Sequence, residues 1–181
     1  MIPELNLARI HKGAAVLMVL VGLELIYYTG KSFWRAYRFS FGEPERWNTH
    51  WMIDQASVIG LSQRVIYFSI WAFVILASIA AFIAGLTLLN RYRKGAIFDM
   101  RTANAIRNLG LFLAFAMIVD QIFQAMDAFL ITLSNAEGPR PIAFFYDPSD
   151  IKTFIMAVIL ILFGWVMRTS IQIDRENRGF I

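Results

Sequence analysis

Glu24, Asp120, Gln121, Gln124 and Asp127 are the residues whose type and setting could do chemistry. Each lies inside a long apolar run. An ionised carboxylate at the middle of a bilayer costs on the order of 3 kcal/mol on insertion scales. Such a group is expected to face the interior of a helix bundle, find a partner or stay protonated. Asp120, Gln124 and Asp127 follow an i, i+4, i+7 pattern and so share one face of a helix. Glu24 and Asp120 each lie 11 residues past the start of their runs, which places the two carboxyls at similar depth. The arrangement suits a proton- or cation-binding site, or a polar pocket for a small amine or a lipid head group. The plainer alternative is hydrogen bonding between helices that fixes their packing. Tyr27, Tyr28, Thr29, Ser69, Trp71 and Ser78 are the partners within reach of sequence reasoning.

The elements that must hold these groups are membrane spans. Of 181 residues, 58% are hydrophobic and only 17% charged. A soluble domain carries roughly 25% charged residues, and a core of this size would not hide so much apolar surface. Four runs, at about 13–30, 65–90, 109–133 and 153–173, meet the roughly 20 residues a helix needs to cross the hydrocarbon. Lipid satisfies no backbone polar group and no barrel pattern is present, so helices are required. The expected fold is all-α, a single integral membrane four-helix bundle. The first run follows Arg9 and Lys12 and meets Lys31-Ser-Phe-Trp-Arg35 with no small-x-small cleavage site, so it is expected to be retained.

Basic residues suggest the orientation. Arg91, Arg93, Lys94, Arg101 and Arg107 crowd the short 91–108 connection, whereas Lys31, Arg35, Arg38, Arg46 and Arg64 spread over the long 31–64 loop. The positive-inside rule then places both termini and the 91–108 connection in the cytoplasm of a cytoplasmic (inner) membrane. The net charge of +4 is explained by these arginines and by anionic head groups, so nucleic acid is not an expected partner.

The outer loop 31–64 is rich in aromatics: Phe33, Trp34, Tyr37, Phe39, Phe41, Trp47 and Trp51. Such residues favour the lipid–water interface. Glu43-Pro44-Glu45 breaks the first helix and starts a short interfacial one, and the loop 134–152, with Pro139, Pro141 and Pro148, is expected to be extended. In the second span Ala77, Ala81 and Gly85 recur at spacing four. That pattern lets helices approach closely, within the chain before between two copies.

Positive evidence for catalysis is missing. There is no cysteine, which removes thiolate chemistry and zinc–thiolate and iron–sulfur sites. His11 and His50 are expected on opposite sides of the membrane, and no phosphate loop, HExxH or nucleophile elbow occurs. The expectation is a protein that is not an enzyme and uses no cofactor or metal.

Two segments carry a family likeness. Tyr92-Arg-Lys-Gly-Ala-Ile-Phe-Asp99 with Asn104-Ala-Ile-Arg-Asn-Leu-Gly110, and the tail Ile173-Asp-Arg-Glu-Asn-Arg-Gly-Phe-Ile181, resemble the cytoplasmic loop and end of the DUF2975 family. The resemblance implies a small four-span bacterial membrane protein of no established activity. Some members are encoded beside small helix-turn-helix regulators, which implies a sensor or regulatory subunit with a cytoplasmic partner. On the residues themselves, Gly95 caps the second helix. Ile97 and Phe98 dip back to the interface while Arg91, Arg93 and Lys94 hold phosphates, and Asp99 caps the next helix. The loop Arg91, Arg93, Lys94, Gly95, Phe98 and Asp99 is either a rigid turn or a docking surface for a cytoplasmic protein. The remaining readings are a proton- or cation-coupled carrier, which would need a homodimer, and an accessory subunit of a larger membrane complex.

Overall fold

The computed structural model describes residues 4–41, 60–132 and 148–179. They form four long helices, α1 (Glu4–Phe41), α2 (Leu61–Arg93), α3 (Met100–Thr132) and α4 (Pro148–Gly179). All four are long and apolar enough to cross a membrane. The expectations for Glu43–Glu45, Trp47, His50, Trp51, Pro139 and Pro141 fall outside the described residues.

Each helix outruns the span expected for it. α1 contains 38 residues and α2 to α4 contain 33, 33 and 32. At 1.5 Å per residue they reach about 48–57 Å, well beyond a hydrocarbon layer of roughly 30 Å. The physical reason is that a good helix former does not stop where hydrophobicity stops. Residues 31–41, expected in the outer loop, continue α1 without a Gly or Pro to break it. There Phe33 and Phe41 both pack edge-on against Phe68 of α2. The segment 100–108, expected in the connection between the second and third spans, is the beginning of α3. Pro148 opens α4, five residues earlier than the expected span, because a proline at the first helical position gives up only a donor that is unsatisfied there anyway.

The helices pack in chain order, α1 on α2, α2 on α3 and α3 on α4. Two apolar clusters bind the middle of this row. Tyr67, Val74 and Phe123 join α2 to α3 near one end. Leu88, Ala103, Ile106 and Met167 join α2, α3 and α4 near the other. Most of the long apolar side chains of α1 and α4 remain exposed, as suits a lipid-facing surface. Ala77 and Ala81 are buried, and a Cβ on Gly85 would touch Leu109, so that small-residue stripe packs within the chain.

The tightest seam lies between α3 and α4. Ala103 and Ala157 are both at 0% exposure. A Cβ added to Gly110 would stand 2.6 Å from the Ala157 carbonyl oxygen, and one added to Gly164 would stand 2.8 Å from the Arg107 backbone nitrogen. Small residues seven apart on each helix, Ala103 with Gly110 and Ala157 with Gly164, let the two backbones come into contact. In lipid, where no hydrophobic effect drives helices together, such close packing is a main source of association.

Candidate functional site

One end of the helix row carries both termini of the described chain and the turn between α2 and α3. That turn is closely built. Gly95 adopts φ +76°, the left-handed conformation that favours glycine. The Gly95 N–H donates to the Tyr92 carbonyl and the Ala96 N–H to the Arg91 carbonyl, the pair of bonds that closes a Schellman cap. Asp99 then caps α3, its carboxylate accepting the backbone N–H of Thr102, while the Thr102 hydroxyl donates to the Ala96 carbonyl at 2.7 Å. The expected roles of Gly95 and Asp99 as caps are thus met. His11 of α1 closes over the turn: a Cβ on Gly95 would lie 3.2 Å from its Nε2. Of the expected docking residues, Arg93, Lys94 and Phe98 are exposed, Phe98 at 74%, and Arg91 reaches Asp99 at 3.9 Å.

Burial pushes the Asp99 carboxyl up, but its hydrogen bonds from Thr102 and the charges of Arg91 and Arg101 outweigh this and hold it below the usual range. A carboxyl lowered in the folded state stabilises the fold when ionised. Its contribution is complete above about pH 4 and drains away as pH falls through the lower folded-state value. Asp99→Ala is expected to cost about 1 kcal/mol at neutral pH. The check is the protection of the Thr102 amide, its exchange relative to the intrinsic rate at the same pH, which should fall in the variant and, in the wild type, only on acidification.

The membrane acids separate into distinct environments. Glu24 is exposed on the outer face of α1, among Leu20, Leu23 and Tyr27, which are themselves more than half exposed. Glu24 and Asp120, expected at similar depth, do not face one another. Equal depth says nothing of azimuth, and α2 stands between α1 and α3. Asp120 is half-buried and accepts a 2.7 Å bond from Nε2 of Gln124, one turn along the same helix. Gln121 points elsewhere: buried, it donates to Asp150 of α4 at 2.8 Å and so ties α3 to α4. Asp127 lies on α3, and its side chain is outside the described residues.

Two charged residues join this group that sequence reasoning left out. Asp150 falls in the first turn of α4, where the helix dipole favours an acid. Arg35, on the helical extension of α1, lies over the Trp71 ring at 5.9 Å, and its charge, like that of Asp150, bears on Asp120. The signal for Asp150 was present as Pro148-Ser-Asp150, a helix start. Arg35 gave none, because it depends on α1 running past Gly30. Of the hydroxyls considered as partners for the acids, Tyr28 and Ser78 pair with each other at 3.2 Å across α1 and α2, and Ser69 bonds the Val65 carbonyl.

Below these charges runs a cleft of about 740 Å³. Asp120, Asp150 and Thr153 line its polar end, and Leu17, Leu88 and Leu109 its apolar end. α1 and α4 do not pack closely on one another, so among the described residues the cleft opens sideways between them. The geometry can hold a molecule with an apolar body and a polar or cationic end.

No curated protein and no solved structure matches the chain. The model of the DUF2975 family, described as a protein of unknown function, matches residues 44–179, and therefore takes in α2, α3 and α4, the Gly95–Asp99 turn, Asp120 and Asp150, but not Glu24, His11 or Arg35. A match over this much of the chain, on a row of four apolar helices, is decisive: the chain belongs to the DUF2975 family.

Proposed function

We propose that this protein acts by binding, as a sensor or regulatory subunit of the bacterial inner membrane, with its termini and the α2–α3 turn in the cytoplasm. The cleft carries this reading. It is largely apolar, is lined by residues of all four helices and ends on two carboxylates, which suits an amphiphile with a cationic head. The occupant enters from the membrane between α1 and α4, and its amine meets Asp120 and Asp150. The apolar end of the cleft approaches Leu88 and Leu109, in or beside the cluster that packs α2, α3 and α4 near the cytoplasmic turn. Filling it would bias the placement of that turn, whose exposed Phe98, Arg93 and Lys94 supply the surface for a cytoplasmic protein.

A matched series tests the reading. Dodecylamine, dodecanol and dodecanoate share one tail and differ in head charge. The amine is expected to raise the unfolding temperature of the purified protein in zwitterionic nanodiscs and to saturate at one per chain, with the alcohol weaker and the carboxylate without effect. Equal responses to all three would overturn it.

A separate observation favours the accessory-subunit reading. A carboxyl exposed to hydrocarbon at mid-span costs on the order of 3 kcal/mol, and Glu24 stands in that position on α1. A helix of another subunit covering this face would remove the cost. Glu24→Leu is then expected to abolish copurification of that subunit in mild detergent while leaving the fold intact. The carrier reading draws less support, since Glu24 and Asp120 do not lie along one path.

A further inference from the structure

The opposite side of the α2–α3 pair carries a second groove, of about 490 Å³, near the turn. From the groove's lining and charge, we infer that it is a binding site for one anionic phospholipid, its phosphate held by Arg91 and Arg101 and one acyl chain laid along the helices.

Its polar end is lined by Arg91 and Arg101, with Asn104 beside them. Arg101 is exposed. Arg91 also faces the Asp99 carboxylate, but at 3.9 Å, longer than a hydrogen bond, so its planar fork keeps N–H donors to offer. Counting Asp99, the end keeps one net positive charge, which complements a phosphodiester. Guanidinium is the side chain whose geometry matches phosphate oxygens in pairs.

Away from the charges the groove turns apolar, bounded by Ala84 and Ile83 on α2 and Phe112 on α3. Ala84 has no bulk to fill the space, and Ile83 and Phe112 are exposed along its edges. From Arg101 to Phe112 the helix rises about 16 Å, close to the half-thickness of a hydrocarbon layer of roughly 30 Å. The cationic end therefore sits at head-group level when the apolar part lies beside acyl chains. A free phosphate ion would use only the first half of the site, and a zwitterionic lipid would bring its own cation against the arginines. Basic pockets between spans on the cytoplasmic side are a recurring setting for anionic lipid head groups. The site is distinct from the cleft, which lies on the other faces of α2 and α3.

Native mass spectrometry of the full chain, released from detergent with added lipid, tests the assignment. Phosphatidylglycerol is expected to be retained as one molecule per chain, at least tenfold over phosphatidylcholine of the same acyl length. Arg101→Gln should lower that retention about fivefold, the effect of one basic residue at a lipid surface. Ala84→Phe, which fills the apolar half and leaves every charge in place, should lower it as much. Millimolar inorganic phosphate should not displace the lipid. Equal retention of the two lipids, displacement by inorganic phosphate, or wild-type retention in the folded variants would each overturn the inference. If Arg101→Gln fails to fold, Ala84→Phe alone decides.

Discussion

Replacing Gly110 with alanine is expected to force α3 and α4 apart and to lower stability by about 2 kcal/mol, the range of overpacking in a tight interface. The added methyl would lie 2.6 Å from the carbonyl oxygen of Ala157 and 2.9 Å from the backbone nitrogen of Ile161. These are backbone atoms of a helix held by its own hydrogen bonds, so neither can rotate aside as a flexible side chain would. Gly164→Ala should act in the same way, against Arg107 and the Ala103 carbonyl. The two substitutions meet the same seam from opposite sides, and together they are expected to cost less than the sum of each, because the first already opens the gap. Gly22→Ala supplies the contrast. Among the described residues nothing lies within 4 Å of a Cβ there, and alanine is the better helix former by up to about 1 kcal/mol. Thermal unfolding in detergent, followed by helical circular dichroism, should place Gly110→Ala and Gly164→Ala well below the wild type and Gly22→Ala at or above it. A Gly110→Ala protein that melts with the wild type would refute the close crossing.

The second large effect concerns the charged end of the cleft. Asp120→Asn is expected to reduce binding of dodecylamine by tenfold or more, since a hydrogen bond to a charged group contributes roughly 1.5–3 kcal/mol. The substitution suits the site, because an asparagine side-chain oxygen still accepts the hydrogen bond from Gln124 and the fold loses little. Asp150→Asn should weaken binding as well; its oxygen still accepts from Gln121, and the added cost in stability comes from removing the acid in the first turn of α4. Glu24→Gln should leave amine binding at the wild-type level, for Glu24 lies on the outer face of α1 and does not line the cleft. Equilibrium binding measured in nanodiscs separates these outcomes. A loss in Glu24→Gln equal to that in Asp120→Asn would mean that the amine binds the membrane acids without regard to the cleft.

These two expectations differ in how far they could be anticipated. The acids of the third span are visible in the sequence as polar breaks in an apolar run, and the i, i+4 relation of Asp120 and Gln124 is realised as a hydrogen bond. By residue type the glycines of the α3–α4 seam look like Gly13, Gly22 or Gly30, where an added Cβ would meet nothing among the described residues. What separates them is the azimuth at which two helices happen to cross. Asp150 illustrates the other limit: a proline-rich stretch suggested an extended loop, whereas Pro148 begins a helix and so puts an acid in its first turn. The Gly95–Asp99 turn lies at the opposite extreme. Its chemistry is local, and both caps follow from residue type and spacing alone.

Four apolar helices, a capped turn joining the second to the third, and membership of the family all follow from the order of the residues. Those properties rest on periodicity, length and hydrogen bonding within a few residues, and lipid enforces them because it satisfies no backbone group. Packing between helices is what turns Glu24 outward, brings Asp120 to a cleft with Asp150, and sets Arg91 and Arg101 beside a separate groove. Depth in a membrane is set by position along the chain, whereas the direction a side chain points is set by which neighbour its helix packs against. In a helix row where α2 lies between α1 and α3, equal depth is not proximity.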